Sequence, residues 1–193
     1  SLDLFDFTWH HIAIVISSSN SADLYINGSR KYSGSNVTRS NSMPISIGSS
    51  VNGLTWNNTI EMQGFISDFA IFNSAKYSGT TLTIPTSPLS SSGSELHIKG
   101  TDASIIDKSQ SSNLKLFGNT TGSTTQAKFA DTKSMYFDGT GDYALISKDT
   151  ANINTLDKNF TIEYWLYDSS PTTWKYVVVK ADNTGNTSAS ELS

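Results

Sequence analysis

The dipeptide Asn27-Gly28 constrains this chain more than any other feature. It lies in "ADLYINGSRKY" (22–32), directly after the alternating run "WHHIAIVIS" (9–17). A two-residue type I′ hairpin turn needs positive φ at both central positions, and Asn-Gly supplies them at least cost. The pattern predicts a β-hairpin with Leu24 and Ile26 on one face and Asp23 and Tyr25 on the other. A lone hairpin is marginal in water, so this one must join a larger sheet.

Strand signals recur along the rest of the chain: "HIAIVIS" (11–17), "ADLYING" (22–28), "PISIGSS" (44–50), "GFISDFAIFN" (64–73), "ELHIKG" (95–100), "LKLFG" (114–118), "SMYFDG" (134–139), "YALIS" (143–147), "FTIEYWLYD" (160–168) and "WKYVVVKAD" (174–182). Each is short, rich in β-branched or aromatic residues and closed by Gly, Asn, Asp or Ser. No window carries a sustained 3.6-residue stripe; "DTANINTLDKN" (149–159) allows one helical turn at most. The fold class expected is all-β, an antiparallel sandwich. In "FTIEYWLYD", Phe160, Ile162, Tyr164 and Leu166 alternate with Thr161, Glu163, Trp165 and Tyr167, so both faces are largely apolar, as in the middle of a sheet.

Composition narrows the function classes. The 193 residues are 36% hydrophobic and 16% charged, with a net charge of -4, so the surface is made mainly of hydroxyls and amides. No clustered basic face marks a nucleic-acid partner. No cysteine is present, which excludes disulfides, a thiol nucleophile and thiolate metal sites. No apolar run reaches the ~18 residues of a membrane span, and residues 1–20 lack the order of a signal peptide. The start at Ser-Leu-Asp leads us to expect a processed chain or one segment of a longer protein.

"TIPTSPLSSSGS" (83–94) holds two of the four prolines and five serines, and it separates two strand-rich parts. The expected organisation is therefore 1–82, a linker at 83–94, and 95–193. Neither part is large enough for a complete sandwich.

The first part, with Trp9-His10-His11, the Tyr25-Ile26-Asn27-Gly28 hairpin and Gly64-Phe65-Ile66-Ser67-Asp68, resembles the second half of a laminin G-like jelly roll of the concanavalin A-like lectin/glucanase superfamily. Asn27 stands where that pattern more often has Asp. The last part, with Phe137-Asp138-Gly139-Thr140-Gly141-Asp142-Tyr143 and Phe160-Thr161-Ile162-Glu163-Tyr164-Trp165, resembles the first half of such a domain. Two arrangements fit this reversed order: the end of one repeat followed by the start of the next, or one sandwich closed by circular permutation. The connector resembles those between tandem repeats of virion and adhesin proteins, which favours the first. The resemblance implies a non-catalytic module of a tail fibre or similar appendage, at a virion surface or extracellular. Its partners would be cell-surface glycans or neighbouring virion subunits in a multimeric assembly, with no nucleic acid and no membrane insertion. A purely structural assembly or decoration module is the alternative, and a polysaccharide-degrading enzyme the weaker one.

Candidate chemistry is sparse. Glycosidases need two carboxylates flanking the scissile bond; "TIEYWLYD" offers Glu163, with Asp168 five residues on and facing the other way. His10 and His11 are adjacent on a strand and point to opposite faces, one expected packed and the other solvated. The many serines leave a Ser-His-Asp triad open, but no G-x-S-x-G elbow occurs. Asp138 and Asp142 flank a glycine turn, which suits calcium as the one possible cofactor and suits an ordinary tight turn equally. Trp56, with Asn57 and Asn58 beside it, and Trp174 lie in polar stretches where an aromatic face stacks on a pyranose ring. Trp9 and Trp165 sit within strands and are expected in the core.

Overall fold

In the computed structural model the described residues are 4, 6–35, 44–49, 51–52, 55–56, 61–101, 104–108, 114–130, 132–146, 158–170, 175–181 and 187–189. The helical turn considered within 149–159 falls almost wholly outside them, and so do Asn57, Asn58 and Trp174. The described residues form sixteen strands: β1 (Trp9–Ile16), β2 (Ala22–Ile26), β3 (Ser29–Gly34), β4 (Ile45–Ile47), β5 (Val51–Asn52), β6 (Thr55–Trp56), β7 (Gln63–Phe72), β8 (Ser94–Thr101), β9 (Ser104–Asp107), β10 (Leu114–Phe117), β11 (Thr121–Ser123), β12 (Ser134–Asp138), β13 (Tyr143–Ile146), β14 (Phe160–Asp168), β15 (Val178–Ala181) and β16 (Thr187–Ala189).

Two antiparallel sheets make the sandwich. The larger runs β11-β12-β7-β14-β1-β2-β3, with β8 also paired to β7 and β9 to β8; the smaller runs β10-β13-β4-β15-β16. Strand β14, from the last part of the chain, lies between β1 and β7, from the first part. The opening hairpin thus finds its sheet neighbour some 150 residues away, Ile12 standing opposite Tyr164 and Ile14 opposite Ile162. Asn27 (φ 47°) and Gly28 (φ 80°) form the positive-φ turn that the sequence calls for.

The alternation read from the sequence decides what lies between the sheets. Leu24, Ile26, Ile162, Tyr164 and Leu166 face Ile45, Ile47, Ala144, Ile146 and Val178 of the smaller sheet in one core cluster. Tyr164 stacks on Phe69 with ring centroids 5.6 Å apart, and both are fully buried. Burial of each such side chain is worth about 1.5–3 kcal/mol.

Strand β7 breaks its own alternation. Ser67-Asp68 puts two polar residues side by side, Asp68 has φ 60°, and the register to β14 shifts between Glu163 and Trp165. This is a β-bulge: the extra residue lets Ile66 and Phe69 both enter the core while Ser67 and Asp68 stay outside. The outer face of the larger sheet is not left to water. Tyr77 and Leu82 pack on Ala13, Val15 and Tyr25, and Leu89 packs on Ala70 and Phe72. The proline- and serine-rich stretch is therefore a strap laid across the sheet.

Three local expectations need correction. Strand β15 starts at Val178, so residues 175–177, read as strand, lie outside it, and Lys175 Nζ donates to Asp168 at 2.7 Å. The strands β9 and β11, absent from the strand signals, carry weak apolar patterns and pair with the stronger β8 and β12. His10 and His11 do point to opposite sides of the strand, yet neither is solvated: both are buried. Each is stabilised there by a polar partner, Asp6 at 2.8 Å for His10 and Glu163 at 2.9 Å for His11.

Candidate functional site

A groove of about 910 Å³ opens beside the strap, on the outer side of the bulge in β7. That volume lies in the range of small-ligand sites. Its floor is Ser67 and Asp68 with Lys99 and Gly100 of β8; one wall is Pro88, and the other comes from residues 124–130 and 132–133 between β11 and β12. The second wall brings Thr124, Thr125, Gln126 and Thr132, with Phe129 among them. The lining is thus hydroxyls, an amide, one carboxylate, lysine ammonium groups and one aromatic ring.

Short-range chemistry holds this wall in place. Thr132 Oγ1 donates to the Phe129 carbonyl at 2.7 Å, Thr125 N–H donates to Ser123 Oγ at 3.1 Å, and Ser134 Oγ donates to the Gln126 carbonyl. Gly100 bridges to Lys133, and a Cβ at Gly100 would stand 2.8 Å from the Lys133 backbone, so the floor and wall meet only because that position is glycine. Behind the wall Trp165 is buried, with Phe129 edge-on at 5.8 Å and the Lys128 ammonium 3.9 Å above its ring. Burial pushes the Lys128 ammonium below its usual pKa.

Asp68 is the best-connected group of the floor. Its Oδ1 accepts from His97 Nε2 at 2.7 Å and lies 3.4 Å from Lys99 Nζ, while Oδ2 accepts from the Leu89 N–H. His97 Nδ1 is in turn 3.1 Å from Ser91 Oγ. A second cluster lies two strands across, where Glu163 receives His11 Nε2 at 2.9 Å, Tyr77 Oη at 2.6 Å and Lys76 Nζ at 2.5 Å. Burial acts to raise the Glu163 pKa, but these three donors outweigh it and hold the carboxyl below its ordinary value.

Residues 2–78 match the Laminin_G_3 model of the concanavalin A-like lectin/glucanases superfamily. The concanavalin A-like match covers β1 to β7 and ends at residue 78, before the strap, and so includes the bulge that floors the groove. A comparison with curated proteins and one with solved structures each returned no match.

The residues singled out in the sequence are distributed differently. Trp56 lies in the short hairpin β5–β6, opposite Val51. Asn57, Asn58 and Trp174 lie outside the described residues. Asp138 and Asp142 do come together, around the turn that Gly139 (φ 85°) and Gly141 (φ 82°) make possible. There Asp142 accepts from the Asn119 and Asp138 amides, both at 2.8 Å, and Asp138 accepts from the Thr140 amide at 2.7 Å and from Asn119 Nδ2 at 2.9 Å. Every oxygen of the two carboxylates thus accepts an N–H, two from the loop itself and two from Asn119 of the neighbouring turn. Among the described residues no group of three or more His, Asp or Glu is arranged to hold a metal ion.

The sequence reading missed the groove and both histidine–carboxylate clusters. One signal was available: in "GFISDFAIF" two adjacent polar residues interrupt a strand whose other positions are buried, the mark of a bulge aiming a side chain outward. Trp165 and Trp9 are in strands as expected, but neither belongs to the core between the sheets: Trp165 is buried in the outer layer behind the groove wall, and Trp9 is only half-buried, its ring 5.5 Å from that of Tyr167.

Proposed function

We propose that this chain is a carbohydrate-binding jelly-roll module that holds a glycan in the groove between the strap and the wall formed by residues 124–130 and 132–133, binding the glycan without cleaving its glycosidic bonds. The observation that carries the reading is the lining itself: threonine hydroxyls, the Gln126 amide and Lys99 beside the Phe129 ring, in a space of about 910 Å³. Sugars are recognised by hydrogen bonds to their hydroxyls and by an apolar ring face, and this groove offers both. The concanavalin A-like match of residues 2–78 supports the same class of ligand.

In this reading the module works in adhesion at the surface of a larger extracellular or virion assembly, where repeated copies turn shallow single contacts into avidity. The bonds of Glu163 to His11, Lys76 and Tyr77 support a structural role for it rather than one in glycosidic hydrolysis.

A glycan array followed by titration of the best ligand tests the proposal. Gln126→Ala and Phe129→Ala should each weaken binding by about tenfold, the loss of roughly 1.4 kcal/mol, while Tyr32→Ala on the edge strand β3 should not. Loss on Trp56→Ala or Trp174→Ala with Gln126→Ala unaffected would move the site away from the groove.

A further inference from the structure

The strap does more than cover the sheet, because it ends in a serine placed on a buried histidine. Ser91 is exposed at the start of a turn in which Ser94 N–H returns to the Ser91 carbonyl at 3.2 Å. Its Oγ lies 3.1 Å from Nδ1 of His97, which is fully buried, and the far nitrogen of the same ring is 2.7 Å from Asp68 Oδ1. A carboxylate can only accept, so Nε2 carries the ring proton and Nδ1 presents a lone pair to the serine hydroxyl. That is the tautomer a general base requires.

The rest of the surroundings fixes this chain of three. The His97 backbone N–H is tied to Asp107 Oδ1 at 2.9 Å, and Asp68 is aimed by the bulge (φ 60°) and by the Leu89 N–H. Lys99 Nζ lies 3.4 Å from the same Asp68 Oδ1. Non-glycine residues at positive φ concentrate at functional sites, where a side chain must be re-aimed. Of the three, Asp68 also lines the groove, together with Lys99 and Pro88.

We propose that Ser91 is a nucleophile activated by His97, with Asp68 as the positioning residue, and that the substrate class is a carboxylic ester such as an acylated sugar. Ser91 Oγ forms a bond to the ester carbonyl carbon as its proton passes to His97 Nδ1. The tetrahedral intermediate collapses with cleavage of the C–O bond to the alcohol, which leaves with the proton from Nδ1. Water, deprotonated by the same nitrogen, then attacks the acyl-serine, releasing the acid and restoring the Ser91 hydroxyl. Only the sugar part of this assignment rests on the glycan-binding reading.

The test is labelling of the whole chain with a fluorophosphonate and hydrolysis of p-nitrophenyl acetate, with peptide mass mapping of the label. The expected result is one label on Ser91 and a hydrolysis rate that falls at least about 100-fold in Ser91→Ala but not in Ser92→Ala. Asp68→Asn would place an N–H donor against Nε2 and drive the ring proton to Nδ1; it should lower kcat with KM unchanged, at a melting temperature that shows the fold intact. No label on the native protein, a label elsewhere, or equal hydrolysis by Ser91→Ala overturns the proposal. The aryl ester needs no sugar contact, so this result and the glycan titration stand or fall separately.

Discussion

His11 Nε2 and Glu163 Oε1 meet at 2.9 Å across the β1–β14 pair, both fully buried and 152 residues apart in sequence. Trp165, the register partner of His11, packs edge-on against the imidazole at 5.1 Å. The contact joins the two strand-rich parts of the chain and also holds Lys76 and Tyr77, in the segment that leads into the strap.

Removing this carboxylate leaves a buried imidazole and an ammonium without their partner. Glu163→Ala should destabilise the protein by about 3–5 kcal/mol, and Glu163→Gln by about 1.5–3 kcal/mol. The Glu163 pKa is depressed below its ordinary 4.5 in the folded state. Its stabilisation is therefore complete above pH 4.5 and lost as pH falls through the folded value. Thermal unfolding from pH 3 to 7 should show the gap between native protein and Glu163→Gln narrowing in acid; a gap independent of pH would contradict the network.

Asp142 should behave with the opposite sign. Burial raises its pKa; the Asp138 and Asn119 amides act downward, the Asp138 and Glu61 charges act upward, and the net shift is above 3.8. Such a group favours the folded state most below its unfolded pKa, and the advantage fades as pH rises through the folded value. Asp142→Asn sets an N–H donor against a backbone N–H, at a cost of about 1–3 kcal/mol. The melting-temperature difference from the native protein should widen, not narrow, between pH 7 and pH 3.

Gly64 lies where β7 presses on the end of β14. A Cβ there would stand 2.2 Å from the Tyr167 carbonyl oxygen, a backbone atom that cannot swing away. Gly64→Ala should lower stability by about 1–3 kcal/mol as the strands are forced apart, measured by urea unfolding. A variant as stable as the native protein would mean that this register is wrong.

The pairing of β14 between β1 and β7 predicts the behaviour of the isolated chain. Its 193 residues should sediment as a compact monomer and unfold in a single cooperative step. Two separate transitions, or folding only on dimerisation, would place the two parts in different sandwiches.

Much of this was legible in local sequence. The Asn27-Gly28 turn, the facing of Leu24 and Ile26 and the two apolar sides of Phe160–Asp168 all follow from backbone sterics and a two-residue period, which neighbouring residues alone determine. The position of the strap, the pairing of His97 with Asp68 and of His11 with Glu163, and the groove beside the bulge were decided by tertiary structure. Each depends on which strands become neighbours across long stretches of chain. Serine- and proline-rich composition marks a connection without saying what it crosses, and a buried charge declares its partner only when both have left water. Local pattern thus specified the strands and their faces, and desolvation across distant strands specified the site.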